Sequence, residues 1–264
     1  MSIIKGFVCI FVVIFNVGLF ADGIEIVYHI ATLNNWRNIV QEQLETLESS
    51  GLWKACDGLT VTVVGEQISE VEELFRELDR PEKLKIVHVS NDLHQYEFPG
   101  IEMIQQIAQQ KSAAKILYMH TKGLLHYKQN TETNVRLWRK YMEYFNVEKW
   151  QDCIKALDCA DICGVDLSRS PSGSYFSGNF WWARANYITT CKLFRESRYS
   201  CEQFVGTGTQ PNFKSFHQSG ENPKLVSYYS YASFPQYYHA PPGQEYFQGV
   251  MNLYQFGYLP EYYK

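Results

Sequence analysis

The chain has 264 residues, of which 45% are hydrophobic and 20% charged, with a formal net charge of -4. That length and composition suit one large α/β domain or two small ones around a sizeable core, with no sign of long disorder. The acidic balance excludes general nucleic-acid binding, which needs a basic surface.

Residues 1–21 read as a targeting segment rather than part of the fold. Lys5 gives it a positive start, residues 7–20 are nearly continuous apolar sequence, and Ala21 is a suitable cleavage residue. The run is short for a membrane span, which needs about 20 residues. Export through a signal peptide is therefore expected, to the exterior or to a secretory lumen. Leu19 at the −3 position keeps an uncleaved anchor as the alternative, and only then is a membrane a partner. Residues 22–196 read as an α/β domain, and residues 197–264 as a Tyr-rich cover of that same domain.

Residues 23–30 (GIEIVYHI) form a short β-rich run. Asn34 or Asn35 then stands ready to cap a helix whose Trp36, Ile39, Val40, Leu44 and Leu47 fall at helical spacing, with Gly51 placed to end it. A second strand is predicted over 59–64 (LTVTVV) and a helix over 69–78. A third strand follows over 83–89 (KLKIVHV), a helix over 100–110, and a fourth strand over 115–119 (KILYM). Strands alternating with helices at this spacing predict βαβ units and a mainly parallel sheet with helices on both faces. Such a sheet carries its site at the carboxyl ends of its strands, which directs attention to residues 29–34 and 120–123.

Two amphipathic helices are predicted over 134–145 and 150–157, with Arg136, Arg139 and Lys140 available for a solvated face. The stretch 160–188 (ADICGVDLSRSPSGSYFSGNFWWARANYI) reads as a buried strand over 162–167, a small-residue loop, and a second apolar segment over 176–183. A helix is predicted over 186–196. Ser177, Gly178 and Asn179 beside Trp181 and Trp182 suit a pocket that stacks on a sugar or base and hydrogen-bonds its edge. Packing of both tryptophans into the core is the competing reading, and in a strand at most one of them faces a ligand. From residue 197 periodicity fades into Gly, Pro, Gln, Ser and many tyrosines, too aromatic for a solvated linker.

No G-x-G-x-x-G follows the first strand, and neither a G-x-x-x-x-G-K-[ST] nor a G-x-S-x-G sequence occurs. Support for dinucleotide oxidoreductases, P-loop NTPases and α/β-hydrolases is correspondingly weak. Beyond the targeting segment stand Cys56, Cys153, Cys159, Cys163, Cys191 and Cys201. In an exported chain they allow up to three disulfides, Cys191 with Cys201 closing a short loop; buried free thiols are the alternative. No C-x-x-C pair suggests zinc.

Together VYHIATLNNW, EQLETLESSGLW, VTVVG, ILYMHTKG, the helix over 138–145 and FSGNFWWARANYI resemble a family of glycosyltransferase-like proteins of GT-A type. The resemblance spans about residues 24–188. It implies a Rossmann-like α/β fold that holds a sugar nucleotide over the carboxyl edge of its sheet. It places His29, Ala31 and Thr32 near the nucleotide, together with Thr121 and Gly123 of the HTKG unit and with Arg139 reaching phosphate. Enzymes of this type commonly present an Asp-x-Asp metal motif where this chain has His120-Thr121-Lys122-Gly123. An Mn²⁺ or Mg²⁺ site, which wants oxygen ligands, is thereby put in doubt, and no metal ligand is assigned.

Lys122 is a substitute that could neutralise a departing diphosphate, with His120 donating a hydrogen bond. Asp166 is expected as the general base that takes the acceptor hydroxyl's proton. Ser177, Gly178 and Asn179 are expected at the sugar hydroxyls, with Trp181 or Trp182 stacked on the ring. The function implied is sugar transfer from a nucleotide-sugar donor to a glycan or protein acceptor, with a metal-independent reaction and one that uses Mn²⁺ or Mg²⁺ both left open. Two other readings stay open: a carbohydrate-binding protein that has lost the chemistry, and an interaction protein that uses its tyrosine-rich tail.

Overall fold

The computed structural model describes residues 23–129, 132–170 and 173–217. The targeting segment at 1–21 and most of the Tyr-rich cover, residues 218–264, lie outside the described residues.

Strand β1 (Ile24–Ala31) is buried along nearly its whole length, as a parallel strand covered on both faces must be. Side chains alternate along it, so Ile26, Tyr28 and Ile30 enter one core and Val27 the other. Helix α1 (Trp36–Ser49) buries the Trp36, Ile39, Val40, Leu44 and Leu47 stripe, in keeping with its spacing in the sequence. Asn35 stands at its N-cap position, as expected, but makes no side-chain cap hydrogen bond. Asn34, at φ +55°, instead donates to the Leu124 carbonyl at 2.7 Å, and Asn35 turns toward Glu132. Gly51 lies in the left-handed region (φ +75°) and turns the chain into the single-turn helix α2 (Leu52–Ala55).

Strand β2 (Gly58–Val64), helix α3 (Ile68–Phe75) and strand β3 (Leu84–Ser90) follow, then helix α4 (Phe98–Gln110) and strand β4 (Lys115–His120). Helix α5 (Glu132–Glu143) runs through a π-helical turn, Tyr144–Glu148, toward helix α6 (Trp150–Ala156). The strand expected over 162–167 is divided. Strand β5 (Ile162–Gly164) stops two residues before Asp166, which adopts φ +51°, and strands β6 (Leu167–Ser170) and β7 (Gly173–Phe176) pair as a separate antiparallel ribbon.

Strand β8 (Trp181–Arg184) runs into helix α7 (Ala185–Ile188), far shorter than the helix expected over 186–196. The Thr189 and Thr190 hydroxyls donate back to the carbonyls of Asn186 and Tyr187 at 2.7 and 2.8 Å, and such local bonds compete with helix continuation. Helix α8 (Ser200–Gln203) and strand β9 (Phe213–Ser215) complete the described chain.

The main sheet has the order β3-β2-β1-β4-β8-β5-β9. Strand β8 alone runs against its neighbours; every other pairing in the sheet is parallel. Helices α1, α2, α3, α5 and α6 cover one face, and α4, α7 and α8 the other. The α/β, Rossmann-like architecture with a mainly parallel sheet is therefore as expected, and the described part of the C-terminal segment adds an edge strand to it. Trp181 and Trp182 belong to opposite cores, both fully buried. All six cysteines of the described residues are free thiols, five of them buried, which corrects the disulfide expectation. Cys191, for example, donates to the Tyr187 carbonyl and its thiol is pushed up to about 11 by burial.

Candidate functional site

Strand β1 pairs with β2 on one side and β4 on the other, so chain order reverses between β1 and β4. Open α/β sheets bind their ligands at the carboxyl ends of the strands flanking such a reversal. A cleft of about 980 Å³ opens there, near the upper end of the roughly 300–1,000 Å³ common for small-molecule sites. Its floor is the strand edge, with His29, Ala31, His120, Thr121, Ser177 and Gly178. One wall comes from residues 122–126 and Trp138 of α5, the other from residues 93–97 and 197–203.

His29 and His120 lie opposite each other in the β1–β4 register, both buried. The His29 ring places Nδ1 2.9 Å from the Thr62 hydroxyl, while Nε2 makes no well-formed hydrogen bond among the described residues. Burial holds this imidazole down at about 4, and the nearby Glu97 carboxylate only partly offsets it. His120 is pushed lower, to about 3, by burial and then by the Lys122 ammonium. Both rings are thus neutral at pH 7. His120 Nε2 donates to the Gly178 carbonyl at 3.0 Å. A carbonyl can only accept, so Nδ1 of the neutral ring carries a lone pair.

That lone pair faces Glu97, whose Oε1 is 3.7 Å away. Glu97 immediately precedes α4, and Gly100 is what lets this helix start so close to the sheet. A Cβ at Gly100 would lie 3.0 Å from His29 Cβ and from the Tyr118 ring. Oε2 of Glu97 is held by two donors, the Tyr118 hydroxyl at 3.0 Å and the Asn179 amide at 2.7 Å. Oε1 accepts no hydrogen bond from the described residues, and the side chain keeps 22% of its surface exposed. The result is a carboxylate fixed through one oxygen and open to the cleft through the other.

Lys122 lies across the floor, its Nζ 4.4 Å from the centre of the Trp138 ring. Contact with an aromatic face contributes about 0.5–2 kcal/mol and gives a flexible ammonium a preferred position. Gly123, at φ +104°, makes the turn that follows, where a Cβ would come 2.9 Å from Val135. The loop is tied down from below by Arg139, which donates to the Lys122 carbonyl and to Glu42, each at 2.9 Å. Burial alone would raise the Glu42 carboxyl, but Arg139, Lys140 and Arg136 outweigh it and hold it below its ordinary range. Tyr96, Arg198 and Tyr199 form the exposed rim, with Arg198 stacked 4.7 Å over the Tyr199 ring.

Of the residues expected from sequence, His29, His120, Thr121, Lys122, Gly123, Ser177 and Gly178 line one cleft. Thr121 spends its hydroxyl on the Ala31 amide at 3.1 Å. Several others go elsewhere. Thr32 is occupied beneath the β2 end, near the Val64 carbonyl. Arg139 is 4% exposed and committed to Glu42, Glu143 and Lys122, so it does not reach phosphate.

Trp181 and Trp182 have no surface left for a sugar ring: they donate to the Asn179 side chain and the Asn146 carbonyl from within the two cores. Asn179 is fully buried, at φ +60°, linking Trp181 to Glu97. Asp166 does not line the cleft; its backbone joins Ser177 to His217.

Glu97, Tyr96, Trp138 and Arg198 are what sequence reading missed as site residues. Extending the carboxyl-end rule from β1 and β4 to β3 would have marked the segment that carries Glu97. A divalent cation does not fit this donor set. No group of three or more His, Cys, Asp or Glu able to hold a metal gathers among the described residues, and Mg²⁺ and Mn²⁺ want several oxygens where the floor offers two buried imidazoles.

A family model described as a domain of unknown function, DUF8361, matches residues 27–226, most of the chain and all of the floor of the cleft. The chain belongs to the DUF8361 family. No curated protein matches it significantly.

Among solved structures, the DUF8361 chain is similar to 4-diphosphocytidyl-2C-methyl-D-erythritol synthase from Anaerococcus prevotii. They share 11% identity at a TM-score of 0.42, over 74% of this chain and 87% of that one. HddC from Yersinia pseudotuberculosis matches at 12% identity and TM-score 0.43, over 74% and 90% of the two chains. A galactosyltransferase, LgtC, solved with donor and acceptor sugar analogs, matches at 8% and 0.37, over 71% and 67%. At these scores the matches carry no argument about the reaction.

Proposed function

We propose that this protein is a glycosyltransferase that binds a nucleotide-sugar in the cleft between β1 and β4 and passes the sugar to a glycan or protein acceptor. The observation that carries the reading is Lys122, an ammonium in contact with Trp138 at the mouth of the strand edge where such folds bind phosphorylated ligands. Sugar transfer breaks the bond between the anomeric carbon and the diphosphate oxygen, and negative charge grows on the leaving diphosphate. A cation already held in a partly dehydrated cleft stabilises that charge without reorganising. Thr121 and Gly123 shape the loop that presents it.

The resemblance carried by HTKG and FSGNFWWA supports the same reading. Export through the apolar segment at 7–20 belongs to this proposal and puts the reaction in a secretory lumen or outside the producing cell.

Turnover tests it. The full chain is incubated with uridine-, guanosine- and cytidine-diphosphate sugars, with and without EDTA, and release of the nucleoside diphosphate is followed. Release that persists in EDTA supports a transferase that works through Lys122. The lack of a carboxylate cluster among the described residues favours a second reading, a carbohydrate-binding protein on the same fold. Sugar binding without any nucleotide binding or release would select it.

A further inference from the structure

The cleft contains one carboxylate whose surroundings prepare it to receive a proton. We infer that Glu97 is the base that takes the proton from the acceptor hydroxyl, an inference that rests on the transferase reading above. Among the described residues only Glu97 and Glu202 bring carboxylates to the cleft, and of the two Glu97 is the one with an oxygen 3.7 Å from the His120 ring.

Three features of its geometry carry the assignment. Tyr118 and Asn179 fix Oε2, so the carboxylate plane is set before any ligand arrives. Oε1 is left without a donor on the cleft side, which is where an incoming hydroxyl could bond to it. Finally, the group beyond Oε1 is a lone pair, because His120 spends its only N–H on the Gly178 carbonyl. A carboxylate oxygen and an imidazole lone pair repel. Once Oε1 carries a proton, the new O–H can donate to His120 Nδ1 and the repulsion becomes a hydrogen bond. The interaction thus strengthens as proton transfer proceeds, which is the differential stabilisation that catalysis requires.

The step balances. The acceptor oxygen forms its bond to the anomeric carbon as the bond from that carbon to the diphosphate oxygen breaks. The electron pair leaves with the nucleoside diphosphate, whose charge meets Lys122. The acceptor proton moves to Oε1 and passes to water after the product departs. His120 acts as a positioning residue, through Glu97.

Glu97→Gln is the clean test, because the amide oxygen can keep the Tyr118 and Asn179 donors while its NH₂ turns to His120 Nδ1. The variant should melt no lower than the parent. Its affinity for a nucleoside diphosphate should stay within about twofold, and transfer should fall by about 10²–10⁴-fold, the usual worth of a general base. In Glu97→Ala, added formate supplies the missing carboxylate and should restore transfer at least tenfold.

Transfer within threefold of the parent in Glu97→Gln would overturn the assignment. So would a loss matched by equal loss of nucleotide affinity without formate rescue, which makes Glu97 a binding residue. A parent that binds nucleoside diphosphates but never turns over also overturns it while leaving the nucleotide site. A parent that does neither overturns the transferase reading itself.

Discussion

His29 and His120 are register partners on adjacent parallel strands, at the carboxyl ends of β1 and β4. Placing two imidazoles side by side in a buried strand edge is tolerable only if both stay neutral. Each has a hydrogen-bonding neighbour, Thr62 for His29 and Gly178 for His120, yet burial outweighs any help those bonds give to the charged form. The pair stands neutral on the floor of the cleft, with Lys122 and Glu97 as the charged side chains beside it and Arg198 and Glu202 also lining the cleft.

The pH dependence of stability follows. Both rings titrate at an ordinary 6.5 in the unfolded chain but at about 4 and about 3 in the folded one. Below pH 6.5 the unfolded chain therefore binds protons that the folded chain refuses. The stability they confer is complete above 6.5 and is lost as pH falls toward 4 for His29 and 3 for His120. Between pH 7.5 and 5 each ring should remove about 2 kcal/mol, seen as a falling urea midpoint. The His29→Gln, His120→Gln double variant should show a shallower decline; an unchanged slope would rule out these rings as its source.

Arg139 should report on stability rather than on ligand. It is buried between Glu42 and Glu143, and removing it takes a buried cation from both carboxylates, leaving Glu143 with Lys140 and Glu42 with Arg136 and Lys140 nearer the surface. Arg139→Met should cost about 3–5 kcal/mol, the usual penalty for breaking a buried ion pair. A full-length melting curve checks it. A normal melting temperature with weakened nucleotide binding would instead restore Arg139 to the phosphate.

The tryptophan pair makes a similar case. Trp181 and Trp182 are wholly buried on opposite sides of the sheet, each with its indole N–H bonded. Truncation of either to Ala should cost about 3–5 kcal/mol through the cavity left behind. Wild-type stability with lost sugar binding would contradict the core assignment.

These residues also show how far sequence carries. The strand and helix pattern up to Met119 was legible because periodicity is a local signal: the stripe from Trp36 to Leu47 is written in the chain itself. The alternation that sends Trp181 and Trp182 to opposite faces was legible too. What sequence could not show was that both faces of β8 are covered, since α4 and α7 close one side and α5 and its π-helical turn the other. Burial by distant elements has no local signature.

The same limit applies to the site. The place of the HTKG unit in the cleft lining was legible because it follows a buried strand at the point of chain reversal. Glu97 was hidden among the chain's acidic residues, 28 Asp and Glu in all. Its role depends on Tyr118, Asn179 and His120, brought to it from 21 to 82 residues away. Asp166 illustrates the converse. Its place at the end of an expected strand suggested a base, but β5 stops at Gly164, and Asp166, left-handed at φ +51°, is not among the residues that line the cleft.

The central claim is that Lys122 faces a nucleoside diphosphate, and calorimetric titration of the full chain tests it most directly. UDP, GDP and CDP are titrated in EDTA into the parent and into Lys122→Ala. The account predicts that at least one binds the parent and that the variant loses about 10–100-fold in affinity, the worth of one charge-assisted contact. Lys122 is only half-buried, so the melting temperature should hardly move. Equal affinity in parent and variant, or no binding of any nucleotide by the folded parent, would contradict the account.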